Sequence, residues 1–189
     1  MSSKRVLSLW DDKGENAKDI SVLRKKSVEL PVPLDKESRK IIQILIDSFL
    51  ERDDAVGLAA PQIGINKRII VFRNKGFDEG KGKIKDPNDF EVLVNPRITQ
   101  ARGEKVTGIE GCLSCPDIQV EISRFPEIKV RALNAKGEKI NTRYLDYVSR
   151  VIQHEIDHLD GKLIVDYGGN IYYPKSKQLF FEKLFNETR

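Results

Sequence analysis

The chain's only two histidines fall in one short motif, His154-Glu155-Ile156-Asp157-His158. In a helix, residues four apart share one face, so both imidazoles can reach a single metal ion. Glu155 is turned about 100° from His154 around the helix, which places it beside such an ion as a candidate proton acceptor. Two surface histidines on an amphipathic helix are the plainer alternative. The concentration of both histidines in one motif favours a metal site.

Two histidines leave a catalytic metal in need of a third protein ligand. The long signature of one protease class requires a histidine three residues after Gly161, where this chain has Ile164. A second protease class uses a downstream glutamate, for which Glu182 is the only well-spaced candidate. An exposed charge on a helix is the more ordinary interpretation of Glu182. Cys112 would complete a Cys-His-His set and leave one position for water, which is the composition of a catalytic site.

Cys112 and Cys115 also form a CxxC pair. A catalytic redox role for such a pair needs it at a helix N-terminus within a βαβ unit. Pro116 and a strand-like segment follow instead, which argues against that role.

The periodicity of apolar residues indicates the elements that must position these side chains. Apolar residues recur at helical spacing over 35–52, with Asp35 as the cap, and over 146–159, with Asp146 as the cap and Gly161 after the end. The second helix has apolar residues on two sides, so we expect it to lie buried between sheets. A terminal helix is predicted over 174–185. The predicted strands are 67–72, 92–95, 118–123, 128–134, 139–145 and 163–167, with a hairpin turn over 134–137.

Helices and strands do not alternate regularly, which predicts an α+β fold of mainly antiparallel sheets around a central helix that carries the histidine motif. We expect residues 11–19 to form an exposed loop and residues 73–90 a long, mobile one. With 189 residues, the chain is expected to form a single catalytic domain, 1–189.

Composition narrows the functional class. Charged residues make up 33% of the chain, no stretch approaches the roughly 20 apolar residues of a membrane helix, and two cysteines exclude a disulfide framework. A cytoplasmic protein without membrane contact is expected. The formal charge of +4 suits an ordinary solvated surface, and without interleaved basic and aromatic residues we expect no specific nucleic-acid partner.

Three sequence blocks occur in order along the chain: 56–62 (VGLAAPQ), 110–114 (EGCLS) and 153–158 (QHEIDH). Together they resemble the bacterial peptide deformylase family, and weaker likeness extends over most of the chain to about residue 167. The resemblance implies removal of the formyl group from nascent polypeptides that begin with formyl-methionine. A metalloprotease that cleaves internal peptide bonds is the alternative.

The resemblance also implies roles for individual residues. Cys112, His154 and His158 would bind one divalent metal, most often Fe²⁺ in the family, with Zn²⁺, Ni²⁺ or Co²⁺ as possible replacements. Glu155 would be the general acid and base, and the Gln62 amide and the backbone N–H of Leu113 would hold the formyl oxygen. Gly57 would lie along the substrate backbone, and a pocket for methionine could include Val56, Leu113, Tyr147 and Val151.

Two positions depart from the family pattern. Ala55 stands where the first block usually has another glycine, and Cys115 replaces a usual apolar residue. Because Cys115 follows a metal ligand by three residues, it could make the enzyme sensitive to oxidation. The implied substrate comes from the ribosome, and Lys175, Lys177 and Lys183 suggest a transient ribosome contact as a weaker hypothesis. The plainer interpretation of these lysines is a solvated helix face.

Overall fold

The computed structural model describes residues 4–75 and 86–186, and within them helices combine with antiparallel strands, which confirms the predicted α+β fold. The α-helices of this part are Ala17–Leu23 (α1), Lys36–Leu50 (α2), Asp146–Leu159 (α3) and Gln178–Asn186 (α4). Its strands are Trp10–Asp11 (β1), Gly14–Glu15 (β2), Gly57–Ala59 (β3), Ile69–Arg73 (β4), Phe90–Arg102 (β5), Val106–Cys112 (β6), Cys115–Arg124 (β7), Glu127–Leu133 (β8), Lys139–Leu145 (β9) and Ile171–Tyr172 (β10).

The strands form a β1–β2 hairpin, a three-stranded sheet in the order β10-β7-β6 and a five-stranded sheet in the order β3-β4-β5-β8-β9. All named pairs are antiparallel. β3 and β6 are therefore edge strands of different sheets. An edge strand keeps one row of backbone N–H and C=O groups free to pair with another chain.

Strand β4 shows how the core is layered. All five of its residues are buried, which explains the continuous apolar run at 69–72. Ile69 and Val71 pack with residues of α2, whereas Ile70 and Phe72 pack with residues of α3. The five-stranded sheet thus lies between the two long helices.

Helix α2 begins at its predicted cap, since the Asp35 side chain accepts a hydrogen bond of 2.7 Å from the backbone N–H of Ser38. The predicted cap of α3 is wrong. Leu145 occupies the cap position, and Asp146 follows with a φ of 49° and no capping bond from its side chain.

Helix α3 is placed between layers as its two apolar sides predict. Ile152 and Ile156 belong to the core cluster of the five-stranded sheet, and its contacts reach β3, β4, β8 and β9. On its other side, His158 faces Cys112 at the end of β6. This placement brings the histidine motif to the junction of the two larger sheets.

The predicted strand over 163–167 is wrong, because Ile164–Tyr167 forms a 3₁₀ helix. The Asp166 carboxylate accepts from the backbone N–H of Leu163 at 2.8 Å, and Gly168 ends the turn with a φ of 61°. A side chain that accepts a hydrogen bond from a nearby backbone N–H competes with strand pairing, and this local competition outweighed the apolar pattern.

Residues 11–19 are mostly exposed, as the sequence predicts, but they do not form a loop. They contribute to the β1–β2 hairpin and to α1, in which the Asp19 side chain is buried beside Arg5.

Strand β6 was not predicted from the sequence. Its apolar residues Val106 and Ile109 are exposed, so apolar and polar residues do not alternate along it. The hairpin turn over 134–137 is confirmed. Of the long loop predicted over 73–90, residues 76–85 lie outside the described residues.

The C-terminal segment docks on the core, as its phenylalanines predict. Phe181 of α4 is fully buried in a cluster with Trp10 and residues of β7. The helix begins four residues later than predicted, at Gln178, after a 3₁₀ turn over Lys175–Lys177. Among the residues described, no helix is long and apolar enough to cross a membrane.

Candidate metal centre and active site

The structure brings Cys112, His154 and His158 together, with one donor atom of each within 4.8 Å of the others. Cys112 Sγ lies 3.3 Å from His158 Nε2. Thiolate and imidazole ligands about 2.3 and 2.0 Å from one tetrahedral ion would lie about 3.5 Å apart. The side chains thus fit a small divalent metal, and the chemistry of the set suits iron, zinc, nickel or cobalt.

Glu110 of β6 orients one of these ligands. Although burial favours its neutral form, hydrogen bonds from His154 and Arg124 lower the pKa of Glu110 to about 2, so it is a carboxylate at neutral pH. Its Oε2 lies 3.0 Å from His154 Nδ1. Because a carboxylate only accepts, His154 donates Nδ1–H and presents the lone pair of Nε2 to the site.

Glu110 is itself held by two arginines. Arg124 binds both of its oxygens at 2.9 Å, and Arg150 Nη1 binds Oε1 at 2.7 Å. Arg124 also donates to Asp157 and to the hydroxyl of Tyr167, each at 2.6 Å. This buried network joins β6, β7 and α3 around the candidate metal ligands.

Arg124 was missed in the sequence analysis, although the sequence carries a signal for it. Ile118, Val120 and Ile122 occupy the buried positions of β7, and Arg124 continues the same alternation. A charge in an inward register points to a buried partner, because a buried charge without one is costly. The partner itself is not visible in the pattern.

Glu155 is buried beside the histidines, and that burial raises its pKa to about 7. Its Oε2 has no hydrogen-bond partner among the described residues. A buried, unpartnered carboxylate oxygen at a metal-ligand cluster suits contact with a water or a substrate group there. A pKa near neutrality suits both acceptance and return of a proton.

Gly57 provides the space that Glu155 occupies. A Cβ at position 57 would lie 2.8 Å from Cδ of Glu155 and would overlap its Oε1. Any larger residue would therefore displace the carboxylate.

Gln62 is fixed in the 3₁₀ helix Ala60–Ile63 that follows β3. Its Oε1 accepts from the backbone N–H of Ala59 at 2.9 Å, which aims the amide nitrogen at the site. That nitrogen donates to Ser114 Oγ at 3.2 Å and lies 3.9 Å from Cys112 Sγ. Ser114, not selected from the sequence, thus helps to orient the amide.

The residues suggested for a methionine pocket differ in exposure. Val151 is buried and packs in the core cluster of α3, and Val56 and Leu113 are partly buried. Tyr147 is about half exposed, at 48%. Val56 and Tyr147 are thus accessible, whereas Val151 belongs mainly to the core.

Glu182, the alternative third ligand, does not join the histidines. It lies exposed on α4, where it accepts a hydrogen bond of 2.7 Å from Gln178. Among the residues described, the candidate metal site is thus the Cys-His-His cluster, in which Cys112 rather than Glu182 lies beside the two histidines.

Comparison with known proteins gives the family. Residues 15–171 match the family model described as polypeptide deformylase. Peptide deformylase 1 of Clostridium acetobutylicum is 43% identical over 156 residues, which are 78% of this chain and 93% of that protein. A probable peptide deformylase from synechococcus phage S-SSM7 is 37% identical, with a TM-score of 0.69 over 87% of this chain and 99% of the other.

The Met-Ala-Ser-bound class I type b peptide deformylase from Acinetobacter baumannii is also similar, with 27% identity and a TM-score of 0.71 over 88% of this chain and 99% of that one. The chain belongs to the polypeptide deformylase family, as its three sequence blocks predict. Members of this family are metal-dependent hydrolases that remove the formyl group from nascent polypeptides.

Proposed function

We propose that this chain releases formate from the N-terminal formyl-methionine of new polypeptides, using the Cys112, His154 and His158 cluster to hold one divalent ion. The observation that carries the proposal is the convergence of that cluster with Glu155 and Gln62 in a member of the deformylase family. A divalent ion held there would lower the pKa of a bound water toward about 7 and so supply a nucleophile at neutral pH.

Side chains and backbone groups of the protein carry out the other parts of the reaction. Glu155 accepts the proton of the attacking water and returns it to the leaving amine, which frees the N-terminus. The Gln62 amide nitrogen and the Leu113 backbone N–H donate to the formyl oxygen as negative charge develops on it. Glu110 keeps the His154 lone pair directed at the metal position.

The two sheet edges supply a place for the peptide. β3, which contains Gly57, and β6, which ends at Cys112, are both edge strands beside the metal ligands. An extended peptide can add to such an edge through backbone hydrogen bonds. We propose Val56, Leu113, Tyr147 and Val151 as contacts for the methionine side chain, and the first three of these are at least partly exposed.

Further assignments follow from the same proposal. We propose Fe²⁺ as the metal ion used in the cell and residues 1–189 as one catalytic domain. We also propose that the protein is cytoplasmic, because its two cysteines are free and thiols stay reduced in the cytoplasm. We also propose a transient ribosome contact through Lys175, Lys177 and Lys183. Because Lys177 already pairs with Asp12 and Asp117, this contact should be weak, and loss of ribosome cosedimentation at high salt would test it.

The main test is formate release from a formyl-Met-Ala-Ser peptide by Fe²⁺- or Ni²⁺-loaded protein under anaerobic conditions. Glu155→Gln should keep its metal and lose roughly 10²–10⁴-fold in turnover, whereas Cys112→Ser should lose the metal. No formate from metal-loaded wild type would refute the proposal. Equal metal loss in both variants would refute the separate roles.

A further inference from the structure

Cys115, which the proposed reaction does not use, faces the metal ligand Cys112 across a tight turn. The two cysteines are Cα partners at the end of the β6–β7 hairpin, joined only by Leu113 and Ser114. The register shifts between Gly111 and Cys112, and the turn at Leu113 and Ser114 brings the Cα atoms of the two cysteines within about 7 Å of each other. A disulfide requires Cα atoms about 4.4–6.8 Å apart, so this register can accept one with the hairpin intact.

Side-chain contacts support the same pairing. Cys115 is fully buried, and Cys112 packs against the core cluster to which Cys115 belongs. Cys112 is only partly buried, at the active site, so a small oxidant can reach it while Cys115 stays enclosed behind it.

We infer that Cys112 and Cys115 form a modification site in which a peroxide converts the pair into an intramolecular disulfide. Cys112 sulfur attacks one peroxide oxygen, so that an S–O bond forms, the O–O bond breaks, and the leaving hydroxide takes up the Cys112 thiol proton as water. Cys115 sulfur then attacks Cys112 sulfur, the S–S bond forms, and the S–O oxygen departs as water with the Cys115 proton. Two thiols are oxidised by two electrons, and one peroxide is reduced to two waters.

The disulfide has a consequence for the metal centre, which rests on the proposed role of Cys112 as a ligand. A disulfide sulfur is no longer a thiolate, so only His154 and His158 would remain to hold the ion. The change is reversible by thiol exchange. Without a neighbouring thiol, the sulfenic acid of Cys112 would proceed to the sulfinic and sulfonic acids, which ordinary thiols do not reduce. Cys115 would thus replace an irreversible oxidation of Cys112 with a disulfide that inactivates the metal site reversibly.

The test compares the wild-type chain with Cys115→Val, a buried apolar replacement, and Cys115→Ser, a second variant in case valine disturbs the hairpin. Each protein, reduced and then treated with hydrogen peroxide, is measured by intact mass, by alkylation mapping and for metal content. Wild type should lose two hydrogens, resist alkylation at both cysteines and release its metal. After a thiol reductant and fresh metal, it should regain about ten times more metal than either variant, whose Cys112 gains oxygen.

Several results would overturn the inference: oxygen addition at Cys112 in wild type with Cys115 still alkylatable, a disulfide only between chains, or full metal retention after the disulfide has formed. The mass measurement does not depend on turnover, so it reads the disulfide even if the protein released no formate.

Discussion

Gly57 illustrates how a single residue sets the geometry of the proposed active site, because the Glu155 carboxylate fills the space that a side chain at position 57 would take. We predict that Gly57→Ala lowers kcat for formate release by about 10²-fold, since a catalytic group displaced by about 1 Å loses activity on that scale. Bound metal should be unchanged, because the substitution does not touch the three proposed ligands. An unaltered kcat would show that Glu155 is not held against Gly57 during turnover.

At the same scale, the roles proposed for the metal ligands and for Glu155 combine two kinds of information. The side-chain types and the spacing of the histidines come from the sequence. The approach of Cys112 to His158, at 3.3 Å across 46 positions of the chain, comes from the packing of β6 against α3.

The buried network around Arg124 works between elements, since it joins the β6–β7 hairpin to α3. Removing one partner of a buried ion pair leaves an uncompensated charge and costs about 3–5 kcal/mol. We therefore predict that Arg124→Met lowers the free energy of unfolding by about that amount in urea denaturation. Arg97→Met, which breaks an exposed pair with Glu29, is the matched control and should cost less than about 1 kcal/mol. Similar losses in both variants would contradict the buried network.

A second link between elements ties the N-terminal segment to α1. The Asp19 carboxylate accepts bonds of 2.8 and 2.7 Å from Arg5 and one of 3.1 Å from the backbone of Ser8. The hydrogen bond from Arg5 lowers the pKa of Asp19 below its ordinary value of 3.8. A carboxylate with a lowered pKa stabilises the fold above its unfolded pKa, and this stabilisation is lost as the pH falls through the folded value.

We predict that Asp19→Asn costs about 1 kcal/mol at pH 7, because Arg5 is largely exposed. The difference from wild type should shrink as the pH falls below about 4, as measured by urea denaturation across that range. The exposed Asp53→Asn serves as a control and should change stability at pH 7 by less than about 0.5 kcal/mol. A difference between wild type and Asp19→Asn that stays constant down to pH 2 would argue against the charged contact.

At the scale of the whole molecule, the C-terminal helix lies beyond the family match, which ends at residue 171, yet it completes a core cluster. The Phe181 ring lies 5.8 Å from that of Trp10 and 5.2 Å from that of Tyr173. The two ends of the chain are thereby packed together on the three-stranded sheet.

We predict that Phe181→Ala lowers the free energy of unfolding by about 3–5 kcal/mol, as expected for a large core truncation. Leu179→Ala on the same helix is the control. Leu179 is 83% exposed, so its truncation should change stability by less than about 0.5 kcal/mol. Equal denaturation midpoints for both variants would show that α4 contributes little to the core.

The sequence by itself determined the features that depend on local geometry. The spacing of His154 and His158 placed them on one face of a helix, and Asp35 marked the start of α2. The three ordered blocks identified the deformylase family. A prediction from a local pattern was also wrong in one segment. Over 163–167, a hydrogen bond from the backbone N–H of Leu163 to the Asp166 carboxylate overrode the strand-like pattern.

Only the tertiary structure decided which distant residues meet. Arg124 reaches Glu110 and Asp157, the edge strands β3 and β6 lie beside the candidate metal ligands, and Cys115 pairs with Cys112 across the hairpin turn. The physical reason is that helix spacing is fixed by backbone geometry within a few residues. The pairing of strands and the burial of charges depend instead on how whole layers pack, and no short stretch of sequence contains that information.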